Sequence, residues 1–346
     1  MADFSTSTPA GAAWTEKRLR IVLAGGSGQI GQMLARFLQD RGHRVIVLTR
    51  SPFAANWETV HWDGEHPGPW TETLEGVDVL INLTGRNINC RLTAANRREI
   101  YETRIGSTRL LHTVLRTLKT PPRLWMNASA ATLYPRLTDA GGRDLPLDES
   151  VAVGVADLLP AGSRPLAWKR RRGFMTRVVR DWEAEFFSSP TPGTRKIALR
   201  SAVTFSPAPG NVFAVLSNLV RVSLGGSAGS GRQYVPWIHE ADYARAIHFL
   251  IEHEEMDGPF NLAAPHPVQN RQFMMALRDA WNVPNGIPAP AIGIRLGALL
   301  LGSNPELVLG SCRAVPGRLQ QAGFQFLFPE WPEAARNLVS RWKQRD

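Results

Sequence analysis

Three glycines at a fixed spacing, Gly25-x-x-Gly28-x-x-Gly31, have the types and positions needed to hold a pyrophosphate on main-chain amides. Gly25 allows a tight turn, Gly28 lets the backbone approach the phosphates, and Gly31 lets helix and strand pack without a Cβ between them. Gln29 and Ile30 lie inside the turn, where a helix N-terminus adds free N–H groups and partial positive charge. About twenty residues further on, Thr49-Arg50-Ser51 stands where an NAD site places a carboxylate for the ribose 2′-hydroxyl. An arginine there suits a 2′-phosphate through charge-assisted hydrogen bonds, so NADP(H) is favoured over NAD(H), although Arg50 facing plain solvent is the alternative. Asp63 is placed to meet the adenine amino group, and Leu83-Thr84-Gly85-Arg86 to pass near the nicotinamide ribose.

These residues need a strand–turn–helix scaffold, and the pattern supplies one. Residues 18–24 (RLRIVLA) form an apolar run, Ile30, Met33, Leu34, Phe37 and Leu38 recur at helical spacing, and Gly42 stops the helix. Further strands are expected at 44–49, 77–83, 124–128, 196–201 and 260–264, with a long helix over 96–118. The alternation predicts an α/β chain, a Rossmann-type doubly wound parallel sheet with a smaller, mostly helical C-terminal lobe. The nucleotide domain is assigned to 18–210 with its sheet completed by 238–265, and the lobe to 211–237 and 266–346. Residues 1–17 read as a disordered tail and 225–231 (GGSAGSG) as a flexible loop.

Bulk composition narrows the classes. The chain of 346 residues carries a net charge of +10, but its basic residues are spread along the sequence, with one dense run at 169–172. That spread argues against nucleic acid and reads as a solvated basic surface, with an acidic small-molecule partner as the alternative. No stretch approaches the ~20 apolar residues of a membrane span. Cys90 and Cys312 are far apart, which suggests no disulfide framework. Cys90 has no histidine near it in sequence and reads as inert. The scattered histidines show no zinc spacing, so no metal is expected. A cytoplasmic monomer or homodimer is the default expectation.

The sequence resembles the extended short-chain dehydrogenase/reductase superfamily, and more narrowly its atypical epimerase-family branch. The resemblance rests on 25–31 (GGSGQIG), 42–45 running into 48–50, 81–88 (INLTGRNI), Thr103-Arg104-Ile105 with Thr108, and Ser129-Ala130. Trp182-Glu183, 229–233 (GSGRQ), Trp237-Ile238-His239, 315–319 (VPGRL) and Gly323-Phe324 extend it over nearly the whole chain. It implies NADP(H) binding and a small C-terminal domain. It also implies a tyrosine acid/base with a lysine four residues later, since a phenol with a pKa of about 10 needs a neighbouring cation to work at neutral pH. Four residues after Tyr101, Tyr134, Tyr234 and Tyr243 stand Ile105, Thr138, Ile238 and Ile247. Anchoring on Glu183 puts Met175 and Val179 at the paired positions; a slip of one residue gives Phe174 and Val178. Ala130 replaces the usual serine and Arg104 the usual asparagine.

Two readings follow. The chain is an oxidoreductase or epimerase in which Tyr134, Ser129 or Thr132 supplies the proton and Arg104 or Arg86 meets an anionic or carbonyl oxygen. Alternatively it is a non-catalytic NADP(H)-binding regulator or interaction protein. On the substrate side, 229–239 resembles the segment that reads a nucleotide diphosphate in sugar epimerases, with Val235 at the position of its arginine. Arg232 is the nearby substitute, and Trp237 is either a flat apolar wall or plain core. His239 is either a second substrate contact or a hydrogen-bonded structural residue. Asp242 is expected to cap a helix over 243–251, and Trp182-Glu183 to combine packing with a surface carboxylate.

Overall fold

The structure, a computed structural model, describes residues 17–134, 136–151, 173–188 and 190–345. The expected tail, apart from Lys17, and the basic run at 169–172 lie outside the described residues. β1 (Arg20–Ala24), β2 (Arg44–Thr49), β3 (Glu58–His61), β4 (Val79–Asn82), β5 (Leu124–Ala130), β6 (Arg195–Ser201) and, later in the chain, β10 (Gly258–Leu262) form one parallel sheet. Its order is β10-β6-β5-β4-β1-β2-β3, a doubly wound sheet of the Rossmann type. Two small pairs lie outside it: β7 (Val203–Phe205) runs parallel to β9 (Trp237–His239), and β8 (Tyr234–Val235) antiparallel to β11 (Val268–Gln269).

The central strands β1, β2 and β4 read as near-continuous apolar runs because both faces are covered. In β1, Ile21 and Leu23 enter the core shared with α1 (Gln29–Gln39) and α5 (Glu240–Glu252), while Val22 and Ala24 enter the opposite one. That second core is closed by α2 (Ala94–Leu115) and α3 (Phe174–Ser188), which supply Leu110, Leu111, Val114 and Phe186. α1 buries Met33, Leu34, Phe37 and Leu38, the residues whose spacing predicts it, and Gly42 after it adopts φ +81°.

The short α9 (Gly317–Gln321) buries Leu319 in the core shared with α1 and α5, and the smaller lobe is built from α4 (Val212–Arg221), α6 (Asn270–Trp281), α7 (Ala291–Leu301), the short α8 (Glu306–Leu309) and α10 (Trp331–Lys343). Phe205, Phe213, Trp237, Phe273 and Trp331 form its core; Phe273 and Trp331 stack with ring centroids 3.9 Å apart. The stretch 225–231 is not the loose loop its composition suggests. A Cβ on Gly226 would lie 2.4 Å from the Ile287 backbone, Gly229 N–H donates to Ala289 O, and Ala228 N–H to Asn270 Oδ1. Its glycines serve close packing. No described helix is long and apolar enough to cross a membrane.

Candidate functional site

At the carboxyl edge of the sheet, β1 gives way to α1 through the glycine turn. Gly25 has φ +71°, and a Cβ there would stand 2.9 Å from Thr84 Cα in the segment leaving β4. A Cβ on Gly31 would fall 2.3 Å from Gly26 O, so the helix reaches the turn only because residue 31 has none. Gly28 differs: it is the N-cap of α1, no side chain caps the helix, and nothing lies within 4 Å of where its Cβ would be. The first amides of α1 therefore meet open space. Beside them, Thr84 Oγ1 is buried and has no hydrogen-bond partner among the described residues.

The other expected cofactor residues ring this turn. Arg50 is exposed just past β2. Asp63 follows β3, but its carboxylate is held locally: Oδ1 accepts from the Glu65 and His66 amides and Oδ2 lies 2.9 Å from His66 Nδ1. These hydrogen bonds bring its pKa down to about 2. Gln29 contributes its amide to the turn, while its side chain donates to Pro209 O at 2.6 Å and clasps the chain leading into the small lobe. Ile30 packs against the core and Leu83 N–H donates to Ala24 O. Arg86 turns toward α2, where its guanidinium pairs with Glu99 and donates to Asn96 Oδ1.

Two of the three expected proton donors belong to a buried network instead. The register sets Ser129, Arg200 and Asn261 side by side on β5, β6 and β10. Ser129 Oγ donates to Glu183 Oε1 at 2.5 Å, and Arg200 grips the same carboxylate with Nε at 2.9 Å and Nη2 at 2.8 Å. Arg200 Nη1 also donates to Tyr134 Oη at 2.9 Å, and that hydroxyl donates to Asn261 Oδ1 at 2.8 Å. Tyr134 is only 7% exposed, and burial pushes its phenol up to about 12. This argues against Tyr134 and Ser129 as proton donors, since both hydroxyls are committed to buried partners and the Tyr134 phenol holds its proton at neutral pH. Glu183, expected on the surface, is likewise an interior carboxylate. Sequence reading missed Arg200 and Asn261; the one signal was a charged residue directly after the apolar run 197–199 of β6. Met175 and Val178 pack in a cluster with Ile100 and Ile105 of α2, and Val179 is buried, so α3 offers no phenol or amine there. Thr132 remains exposed.

Arg104 lies against the segment that leaves β4. Its guanidinium lies under Gly85, where a Cβ would stand 2.9 Å from Cζ. Nη1 donates to Ile100 O and Nη2 to Arg86 O, and the Trp182 ring centroid is 5.4 Å away. Burial lowers its pKa to about 10.

The substrate-side expectations divide. Arg232 is exposed. Trp237 is no cavity wall: it is 1% exposed, packs edge-on against Trp331 and donates its indole N–H to His266 O. His239 is structural, because Nδ1 accepts from Ala241 N–H as the N-cap of α5 and Nε2 lies 3.2 Å from Asn337 Oδ1. It thereby takes the role expected of Asp242, whose carboxylate sits inside the first turn and accepts from the Leu327 and Phe328 amides. Cys312 donates to Ala131 O, and burial raises its thiol to about 12. A recess of about 690 Å³ lies beside Arg195, Lys196 and Gly258. These mark the amino ends of β6 and β10, the edge opposite the glycine turn, so it is remote from this chemistry.

The site fits a nicotinamide dinucleotide on three counts: uncapped helix amides, the vacant direction at Gly28, and the unpartnered Thr84 hydroxyl. Residues 21–155 match the NAD dependent epimerase/dehydratase family, and residues 289–338 match a domain of unknown function, DUF1731. An epimerase family protein of Mycobacterium leprae (ML0860) is 31% identical over 334 residues, covering 96% of this chain and 99% of that protein. One from Mycobacterium bovis (Mb2239) is 32% identical over 308 residues, with 88% and 93% covered. Among solved structures, human epimerase family protein SDR39U1 with NADPH superposes with TM-score 0.77 at 26% identity, covering 93% of this chain and 99% of that one. A UDP-N-acetylglucosamine 4-epimerase from Bacillus cereus shares the fold at TM-score 0.68 and 16% identity, covering 94% and 99%. A doubly wound sheet with this turn, these relatives and the trailing small domain place the chain in the epimerase family, the atypical branch of the extended short-chain dehydrogenase/reductases.

Proposed function

We propose that the chain is an NADP(H)-dependent oxidoreductase or epimerase that acts on a small carbonyl or sugar-like compound without a Tyr-x-x-x-Lys pair. The observation that carries the reading is the phosphate cradle between β1 and α1, followed at the end of β2 by Arg50 where NAD sites hold a carboxylate. In this reading the α1 amides hold the pyrophosphate, Arg50 meets the 2′-phosphate and Thr84 turns its hydroxyl to the ribose. When bound, the dinucleotide supplies or accepts the hydride. The human relative crystallised with NADPH supports the same preference. Calorimetric titration with NADPH and NADH tests it. Arg50→Ala is expected to weaken NADPH by about tenfold, the worth of one hydrogen bond to a charged group, and to leave NADH unchanged. Equal weakening of both removes the case for the 2′-phosphate.

A second reading, a regulator that binds NADP(H) without turnover, is favoured by one observation: the Tyr134 and Ser129 hydroxyls are withdrawn into the buried network. Following reduced-nicotinamide absorbance across aldehydes, ketones and oxo acids separates the two. Tight NADPH binding with no turnover on any of them favours the regulator.

A further inference from the structure

Three arginines gather around the segment that leaves β4, and their electrostatic situations differ. Arg86 has a carboxylate partner in Glu99 and an amide partner in Asn96. Arg91 is exposed and donates to Leu299 O in α7. Arg104 is largely enclosed, and among the described residues it makes no ion pair: its acceptors are two neutral carbonyls, Ile100 O and Arg86 O. A guanidinium carries five N–H donors, and an enclosed cation without a counter-charge is costly unless an anion completes the site. Trp182 lies beside it, an apolar aromatic that strengthens electrostatics by excluding water. The absence of a side chain at Gly85 leaves the guanidinium directly beneath the segment proposed to border the nicotinamide ribose.

We propose that Arg104 is the anion-recognition residue of the substrate site, and that the substrate carries a carboxylate next to its reacting carbonyl or hydroxyl. The inference rests on the NADP(H) reading above and adds the substrate class. A planar guanidinium recognises a planar carboxylate through parallel N–H···O bonds, which a neutral sugar hydroxyl cannot reproduce. The position of Val235, where the resemblance to sugar epimerases leads one to expect an arginine, agrees with a site not built around a nucleotide diphosphate. Arg104 is a binding residue here. The proton donor is a separate question.

The test uses the full chain. NADPH is titrated first, then sodium oxamate and its neutral relative oxamide are titrated calorimetrically into protein saturated with NADPH. Oxamate is expected to bind at least tenfold more tightly than oxamide. Arg104→Gln is expected to lose about 30-fold in oxamate affinity, the range for a hydrogen bond to a charged group, with NADPH affinity kept within threefold. Arg104→Lys, which keeps the charge without the fork, is expected to recover part of the loss. The inference is overturned if the natural chain does not distinguish oxamate from oxamide, if Arg104→Gln binds oxamate as before, or if it loses NADPH in the same proportion. Should Arg104→Gln fail to fold, the oxamate–oxamide contrast in the natural chain decides alone. Failure of the first NADPH titration removes the cofactor reading and this inference with it, and is distinct from NADPH binding without an oxamate preference.

Discussion

Tyr134 is the residue whose chemistry sequence and structure describe most differently. Read along the chain, it is a phenol just past the fifth strand, near a nicotinamide. In the fold its hydroxyl accepts from Arg200 and donates to Asn261, and burial holds its proton in place. Tyr134→Phe is therefore expected to lower stability by about 1–3 kcal/mol in urea unfolding, because the Arg200 and Asn261 groups lose a buried partner. NADPH affinity and any turnover should be preserved. Turnover lost at unchanged stability would restore Tyr134 to the chemistry. The residue types alone did not reveal this, because Arg200, Glu183 and Asn261 lie far from Tyr134 in sequence. The parallel register of β5, β6 and β10 brings Ser129, Arg200 and Asn261 to one height, and Glu183 reaches them from α3. The glycines were legible for the opposite reason: their work is done against neighbours a few residues away.

At the scale of elements, the turn and α1 separate the two duties of glycine. At residue 31 a methyl group would strike Gly26 O at 2.3 Å, so Gly31→Ala must push α1 off β1. Overpacking of this kind costs about 1–3 kcal/mol or more, and both stability and dinucleotide binding are expected to fall. At residue 28 the same methyl meets no atom of the fold, and φ −70° suits alanine. Gly28→Ala is expected to cost under about 1 kcal/mol in stability, the difference between these residues at an N-cap. Its NADPH affinity should nevertheless drop at least tenfold, because the methyl occupies the approach of the pyrophosphate. Thermal unfolding and titration of the two variants check this; a Gly28→Ala protein that binds NADPH normally would show that the cradle lies elsewhere. The strands and α1 were readable because apolar spacing reports local burial. The roles of Trp237 and His239 were not, because an aromatic or imidazole at a strand end looks the same whether it lines a groove or, as here, fills the lobe core and caps α5.

The whole molecule joins a sheet, two helical layers and a lobe, and several seams are closed by neutral histidines. Where α5 crosses the start of β2, His43 and His248 stack with Nε2 atoms 3.2 Å apart, and His43 Nδ1 accepts from Leu19 N–H. His112 contacts Trp125 between α2 and β5, and His239 joins α5 to α10. Burial is the leading cause of a lowered pKa in all four: from 6.5 to about 4 for His112, to about 3 for His239 and His248, and downward for His43. Below pH 6.5 the unfolded chain takes up protons at these positions while the folded chain does not, so stability falls as pH falls. The stabilisation is complete above the unfolded value and drains away toward pH 4. Asp242 and Glu149, whose carboxyls burial raises, act with the opposite sign, but their unfolded values lie lower, near 4. The histidine effect is thus cleanest between pH 7.5 and 5.5. Each such histidine contributes up to about 1.4 kcal/mol per pH unit there, so calorimetry is expected to show the melting temperature falling by several degrees over that interval. His248→Asn should start less stable but titrate with a shallower slope, because it removes one proton-binding difference. A melting temperature that stays level from pH 7.5 to 5.5 would mean that these seams admit the proton, and that the interior between α5 and β2 is wetter than its packing implies.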